Sequence, residues 1–444
     1  MESQDRYRML TTGSVPRVIS TLAVPTIISM LVTSFYNIAD TFFVGQIDTQ
    51  STAAVGVVFS VMFIIQAVGF FFGHGSGNYI SRQLGAKNRE AASKMAATGF
   101  IYSVMFASLL AVIGLLFLEP ISLALGSTPT VLPYTKQYLS IILCGGPFMA
   151  GQITLNNQMR LQGNASYAMV GIVSGAVLNV LLDPLFIFVF DMGVSGAALA
   201  TAVAQMIAFT IQLIQTHKGG NLRIHLREFT PSLYYVNEII SGGAPSLTRQ
   251  ALGSISTILL NYAAGTWGGD AGIAGMSIVN RMSFFINSVL IGYGQGFQPL
   301  CGFSYGAKLY ARVKEGFWFC VKIGTVFLTV VAVFGFIYAE EIVTLFRDDA
   351  DVIVVGATAF RWQLLTYPLG AVVMYSNMMM QTIRKPIRAS ILSAARQGIF
   401  FIPAILIMPQ LFGIQGVEAT QAVADLLSFL LAIPLCGSVL RELN

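Results

Sequence analysis

Twelve stretches of this chain are apolar and long enough to cross a bilayer, which leaves few folds open to it. A hydrocarbon core of roughly 30 Å needs about 20 apolar residues per helix, whereas a membrane barrel alternates over about 10-residue segments. The runs here are continuous. Helices are therefore expected at 18–40, 53–80, 95–118, 132–157, 168–190, 194–216, 237–265, 272–300, 317–339, 352–380, 389–411 and 414–440. Only 10% of the 444 residues are charged, against about 25% in soluble domains. The fold class that follows is an all-α polytopic membrane protein. The stretch before Val18 is short and polar, and no small-residue cleavage site follows Leu22. The first span is thus expected to be a retained helix, with no targeting peptide.

The spacing of Lys and Arg predicts orientation. Arg82, Lys87, Arg89, Lys308, Arg312, Lys314, Arg384, Lys385 and Arg388 fall on the side of the N-terminus, while Lys136 and Arg347 fall opposite. Positive loops stay cytoplasmic, so both termini are expected inside. The net charge of +5 is then a topology signal, and no nucleic-acid partner is expected. Glu340, Glu341, Asp348, Asp349 and Asp351 read as a solvated outer loop. Cys144, Cys301, Cys320 and Cys436 show no paired spacing, which supports neither a disulfide framework nor a zinc site.

The chain repeats itself. Pro25 and Gly45 match Pro245 and Gly265 at an offset of 220, Gly85, Ala86 and Lys87 match Gly306, Ala307 and Lys308 at 221, and Gly193 and Gly196 match Gly413 and Gly416 at 220. Each half holds six spans, an even number, so the repeats are parallel and related by an axis along the membrane normal. The expected domains are an N-terminal six-helix bundle (1–216), a cytoplasmic linker (217–236) and a C-terminal six-helix bundle (237–444). A channel would need a filter or a charge repeated in both halves, and neither is present.

One half carries polar groups that the other lacks. Asp40, Asn179, Asp183, Thr201 and Tyr138 correspond to Leu260, Ile399, Pro403, Gln421 and Thr358. Asn179 and Asp183 share a helix face at i, i+4, as do Ala197 and Thr201. All of these groups lie at depths that converge in the outer half of the first bundle. A carboxylate at mid-bilayer costs at least about 2.5–3.5 kcal/mol, and two together repel. A cation must share the pocket: sodium held by carboxylate, amide, hydroxyl and backbone oxygens, or a proton on one aspartate. The competing reading is a structural hydrogen-bonded pair, which leaves the one-sidedness unexplained.

The residues that carry a family likeness are Pro25 with Asn37-Ile38-Ala39-Asp40-Thr41-Phe42-Phe43-Val44-Gly45, the run Gly77 to Ala86, the run Leu178 to Phe188, and Gly193 to Thr201. Together they resemble the MATE (multidrug and toxic compound extrusion) family over essentially the whole chain, nearest its MepA-type bacterial branch. The resemblance implies a V-shaped fold of two six-helix bundles and a secondary antiporter of a bacterial plasma (inner) membrane. It would export cationic or amphiphilic drugs in exchange for H+ or Na+, as a monomer, with no cofactor beyond the driving ion. It also implies a cation site of Asp40, Asn179, Asp183, Thr201 and the Ala197 carbonyl, with Tyr138 and Asn156 in the surrounding network. Pro25 interrupts the ladder of helix one, as a hinge that bends on cation loading or as a static kink.

In the second half, Arg281, Arg361 and Asp425 lie within spans and are expected to form a buried ion-pair cluster; substrate or proton handling is the alternative. Arg249 is expected to snorkel from the inner end of helix seven. His74 reads as a packed or interfacial histidine. Met282, Phe284, Phe285 and Tyr36 are candidates for a greasy cavity. The runner-up function is a lipid-linked precursor flippase of the same two-bundle architecture, kept open by Arg249, Arg281 and Arg361. No nucleophile motif, metal triad or phosphate loop occurs, so no enzymatic activity is expected.

Overall fold

The computed structural model describes residues 3–443. A short helix, α1 (Ser3–Thr12), precedes the first bundle of α2 (Val15–Gly45), α3 (Thr49–Gly85), α4 (Arg89–Leu116), α5 (Leu118–Ala124), α6 (Leu132–Leu161), α7 (Ala165–Pro184) and α8 (Gly193–Gln215). The second holds α9 (Leu233–Gly306), α10 (Tyr310–Ile337), α11 (Ala339–Phe346), α12 (Ala350–Thr382), α13 (Pro386–Ala394), α14 (Phe401–Phe412) and α15 (Ile414–Glu442). Among the described residues there is no strand. Lipid offers backbone groups no partners, and a helix pairs them within the segment.

Ten helical stretches among the described residues are long and apolar enough to cross a membrane. One of them, α9, contains two spans, because Gly269 at φ 58° breaks it inside the expected 266–271 gap. The more polar α12 supplies another crossing. That gives the twelve crossings expected, at boundaries a few residues longer. Sequence signals set the ends: Asp48 caps α3 through the Ser51 N–H at 2.6 Å, Asn88 caps α4 through Ala91 at 3.1 Å, and prolines open α2, α6 and α13.

The repeat is visible in three dimensions. Gly193 and Gly413 both take positive φ, 55° and 60°, a region costly for any residue with a Cβ. Asn156 donates from Nδ2 to the Ala168 carbonyl at 2.8 Å, and Asn377, 221 residues later, donates to Ala389 at 2.7 Å. The contacts between bundles are reciprocal as well: Gly85 abuts the Phe303 backbone, and Gly306 abuts the Arg82 backbone. A side chain at any of these glycines would push the bundles apart.

Those contacts lie toward the membrane face that carries the termini. Thr26 donates to the Gly292 carbonyl at 2.6 Å, and Ser34 and Ser288 hydroxyls meet at 3.4 Å. Beyond that pair, toward the opposite face, no hydrogen bond among the described residues links the two bundles. On the terminal face Glu238, 2% exposed, bonds Arg82 at 2.9 Å and Arg384 at 2.6 Å. Arg82 also donates to the Thr382 carbonyl at 2.7 Å.

The acidic segment expected as a loop is in part α11, whose Glu340 pairs with Arg361 at 3.0 Å. Its counterpart 221 residues earlier, Glu119 on α5, pairs with Lys136 at 2.8 Å. Short amphipathic helices thus cover the same corner of both bundles.

Candidate cation site in the first bundle

Asp40 lies one turn before the end of α2, Asp183 in the last turn of α7, and Thr201 in the third turn of α8. These helices pack together, so groups 18 to 161 residues apart meet at one depth. Asn179, one turn before Asp183, donates from Nδ2 to the Thr201 hydroxyl at 3.2 Å. That bond fixes the amide and leaves its Oδ1 without a donor. Asp183 is fully buried, and among the described residues no N–H or hydroxyl donates to either of its carboxylate oxygens; one oxygen of Asp40 lacks such a donor as well.

Four buried oxygens without donors are unusual, since buried polar atoms are normally hydrogen-bonded. The two carboxyls lie within hydrogen-bond reach of each other, so a proton on one could bridge to the other, but two carboxylates have no donor to share. Tyr138, 1% exposed, stands beside Thr201 and both aspartates. Tyr36 is a further neighbour of the pair. Read only as a cavity residue from sequence, it sits four residues before Asp40, and that i, i+4 spacing was the available signal. Ala197 is buried one turn before Thr201 on α8.

The end of α7 is shaped for this position. Pro184 follows Asp183 and has no N–H to donate, and the chain continues as a π-turn over Leu185–Val189. Such turns cluster at functional sites. Gly196 lets α8 approach the Phe186 backbone, where an added Cβ would lie 2.6 Å from its carbonyl oxygen.

A family model, MatE, matches residues 25–185 and again 245–407, one copy in each bundle at the offset of the repeat. The chain belongs to the MatE family. Among its relatives, the multidrug export protein MepA of Staphylococcus haemolyticus is 28% identical over 95% of this chain and 93% of its own. MepA of Staphylococcus aureus is 28% identical over 93% and 91%. Among solved structures, an outward-facing multidrug resistance MATE family transporter of the MOP superfamily superposes with a TM-score of 0.92 at 25% identity, covering 98% of each chain.

Within this MatE chain several sequence expectations need correction. Asn156 is not beside the aspartates; its amide ties α6 to Ala168, and Asn377 repeats that bond in a bundle with no carboxylate pair. Arg281, Arg361 and Asp425 do not form a cluster. Asp425 is held by Arg396 at 2.7 Å and Gln421 at 2.8 Å. Arg361 turns to Glu340 and the Phe336 carbonyl, and Arg281 is exposed, in none of the ion pairs among the described residues. Depth in a span was legible, but the helix face was not. The flippase reading loses Arg361, which Glu340 pairs, and the relatives are multidrug exporters.

Two terminal-side residues gain a role. Arg160, which the expected spans left in a loop, is 1% exposed at the bundle seam. It donates to the Gln295 carbonyl at 3.1 Å, Gln298 Oε1 at 2.9 Å and Asn157 Oδ1 at 2.7 Å. Its remaining contact is His74 Nε2 at 3.3 Å. A guanidinium cannot accept, so Nε2 is the acceptor. The His74 proton then sits on Nδ1, facing the Phe70 carbonyl and Ser246 hydroxyl.

Proposed function

We propose that this protein is a cation-driven antiporter that exports cationic or amphiphilic drugs and toxic organic compounds in exchange for H+ or Na+. Multidrug efflux is the activity that family membership supports. The observation that carries the ion coupling is the set of donorless buried oxygens on Asp40, Asn179 and Asp183. A hard cation or a proton satisfies them; an apolar substrate does not. Asp40 and Asp183 supply the charge. Asn179, Thr201 and the Ala197 carbonyl complete the shell, and Tyr36 and Tyr138 wall it.

Transmission runs along α2. That helix carries Asp40 near one end and, at Thr26, a bond to Gly292 of the second bundle. Pro25 immediately precedes Thr26, so the missing ladder bond sits beside the seam contact and bending there redirects the segment that carries Asp40. Coupling requires the cation and the drug to favour different arrangements of the bundles. The positive loops favour cytoplasmic termini, so the joined face is the cytoplasmic one and this conformation opens outward. All site residues come from one chain, which suits a monomer in a bacterial plasma membrane.

The test is drug efflux from proteoliposomes driven separately by a sodium gradient and a pH gradient. One gradient is expected to drive wild-type efflux. Drug-stimulated ion flux that persists unchanged in Asp183→Asn sinks the reading.

A further inference from the structure

At the seam, mostly in the second bundle, lies a cavity of about 130 Å³ whose wall includes Arg249, Asn377, Gln381, Arg396, Gln397 and His74. That volume is below the roughly 300–1,000 Å³ of drug-sized sites, so the cavity seats a head group with the rest of the guest outside it. Its electrostatics are opposite to those of the Asp40–Asp183 site. No Asp or Glu lines it. Arg396 is neutralised by Asp425 through bonds of 2.7 and 3.3 Å. Arg249 has neither an ion pair nor a hydrogen bond among the described residues. An arginine stays charged in proteins, and a charge at this depth without a counter-ion marks a site whose partner comes from elsewhere.

The rest of the wall suits the same kind of guest. The Gln381 amide nitrogen donates to the Ser246 hydroxyl and the Gly242 carbonyl, and the Arg160–His74 contact fixes the His74 ring. Polar groups are therefore held in place around one free guanidinium. Ile291, Val373, Met374, Met378 and Leu392 supply the apolar remainder.

We propose that this cavity binds the carboxylate head of a singly charged amphiphile, paired with the Arg249 guanidinium. Of the two arginines in the wall only Arg249 lacks an anionic partner among the described residues, which suits one negative charge, and a planar guanidinium matches a carboxylate in a bidentate pair. Because His74 belongs to the first bundle and Ser246 to the second, a change in how the bundles meet alters the wall and hence the affinity. Export of such a compound rests on the transport reading above; its binding does not.

The experiment titrates purified full-length protein with fluorescent 1-pyrenebutyrate and, in parallel, with its uncharged methyl ester. The acid is expected to bind at least about tenfold more tightly than the ester, the loss associated with removing one charged pair. Arg249→Gln should abolish that preference, whereas Arg249→Lys, which keeps the charge, should retain most of it. Equal affinity for acid and ester in the wild type overturns the proposal even if Arg249→Gln does not fold. So does competition by inorganic pyrophosphate that exceeds competition by acetate. Absence of ion-driven ethidium efflux from the same preparation would defeat the transport reading while leaving an Arg249-dependent acid preference standing.

Discussion

Glu238 on α9 accepts a hydrogen bond from Arg82 on α3 at 2.9 Å, joining the two bundles at the face that carries the termini. Arg384, from the turn after α12, meets the other carboxylate oxygen at 2.6 Å. Arg82 is nearly as buried as Glu238, while the Arg384 side chain is 60% exposed. Solvent screens the second pair far more than the first.

Arg82→Gln should therefore lower the midpoint of thermal unfolding in detergent clearly more than Arg384→Gln, because it leaves Glu238 without its buried partner. Equal shifts would mean that the carboxylate is effectively solvated.

The same clamp predicts a change in conformation. Cys301 is buried near the seam and Cys144 is exposed. In Glu238→Gln, maleimide labelling of Cys301 should accelerate at least several-fold while that of Cys144 stays constant, as read by peptide mass spectrometry. An unchanged Cys301 rate would show that the pairs do not hold this face closed.

At the cation site, Asp183→Asn removes a buried charge that has no hydrogen-bond donor. Ion-driven drug efflux should fall at least about tenfold, with thermal stability held or raised, since desolvated unpaired charge is costly. A destabilised variant would point to a structural role for the carboxylate.

Asn156→Ala and Asn377→Ala should both act on stability alone. The first removes one buried inter-helix bond and the second two, to Ala389 and Ser393, each worth about 1–3 kcal/mol once the partner is left unmade, so both melting temperatures should drop, that of Asn377→Ala at least as far, with no change in which gradient drives efflux. A selective loss of ion coupling in Asn156→Ala would return that residue to the cation network.

For Pro25→Ala, the hinge reading predicts slower turnover with drug affinity retained, because the helix ladder is restored across the bend. Transport at the normal rate leaves a static kink.

Much of the architecture was legible in the sequence. Apolar runs fixed the crossings, and even the break in α9 fell in the expected gap, because Gly269 and its neighbours interrupt hydropathy there. The one-sided set of Asp40, Asn179, Asp183 and Thr201 stood out against its repeat because a polar residue in lipid has to have a reason. Arg160 gave no such signal. An arginine near a helix end reads as a positive loop, and only the contact between bundles reveals it as buried.

The sequence by itself determined the number of crossings, their parallel repetition and which bundle carries the carboxylates. Lipid leaves the backbone little choice but helix, and period and hydropathy are properties of a single segment. The tertiary structure alone decided the partners: Arg396 for Asp425, Glu238 for Arg82, and, among the described residues, none for Arg249. Partnership depends on the rotation of each helix and the register of one bundle on the other, which are set by packing between segments and not by any one of them.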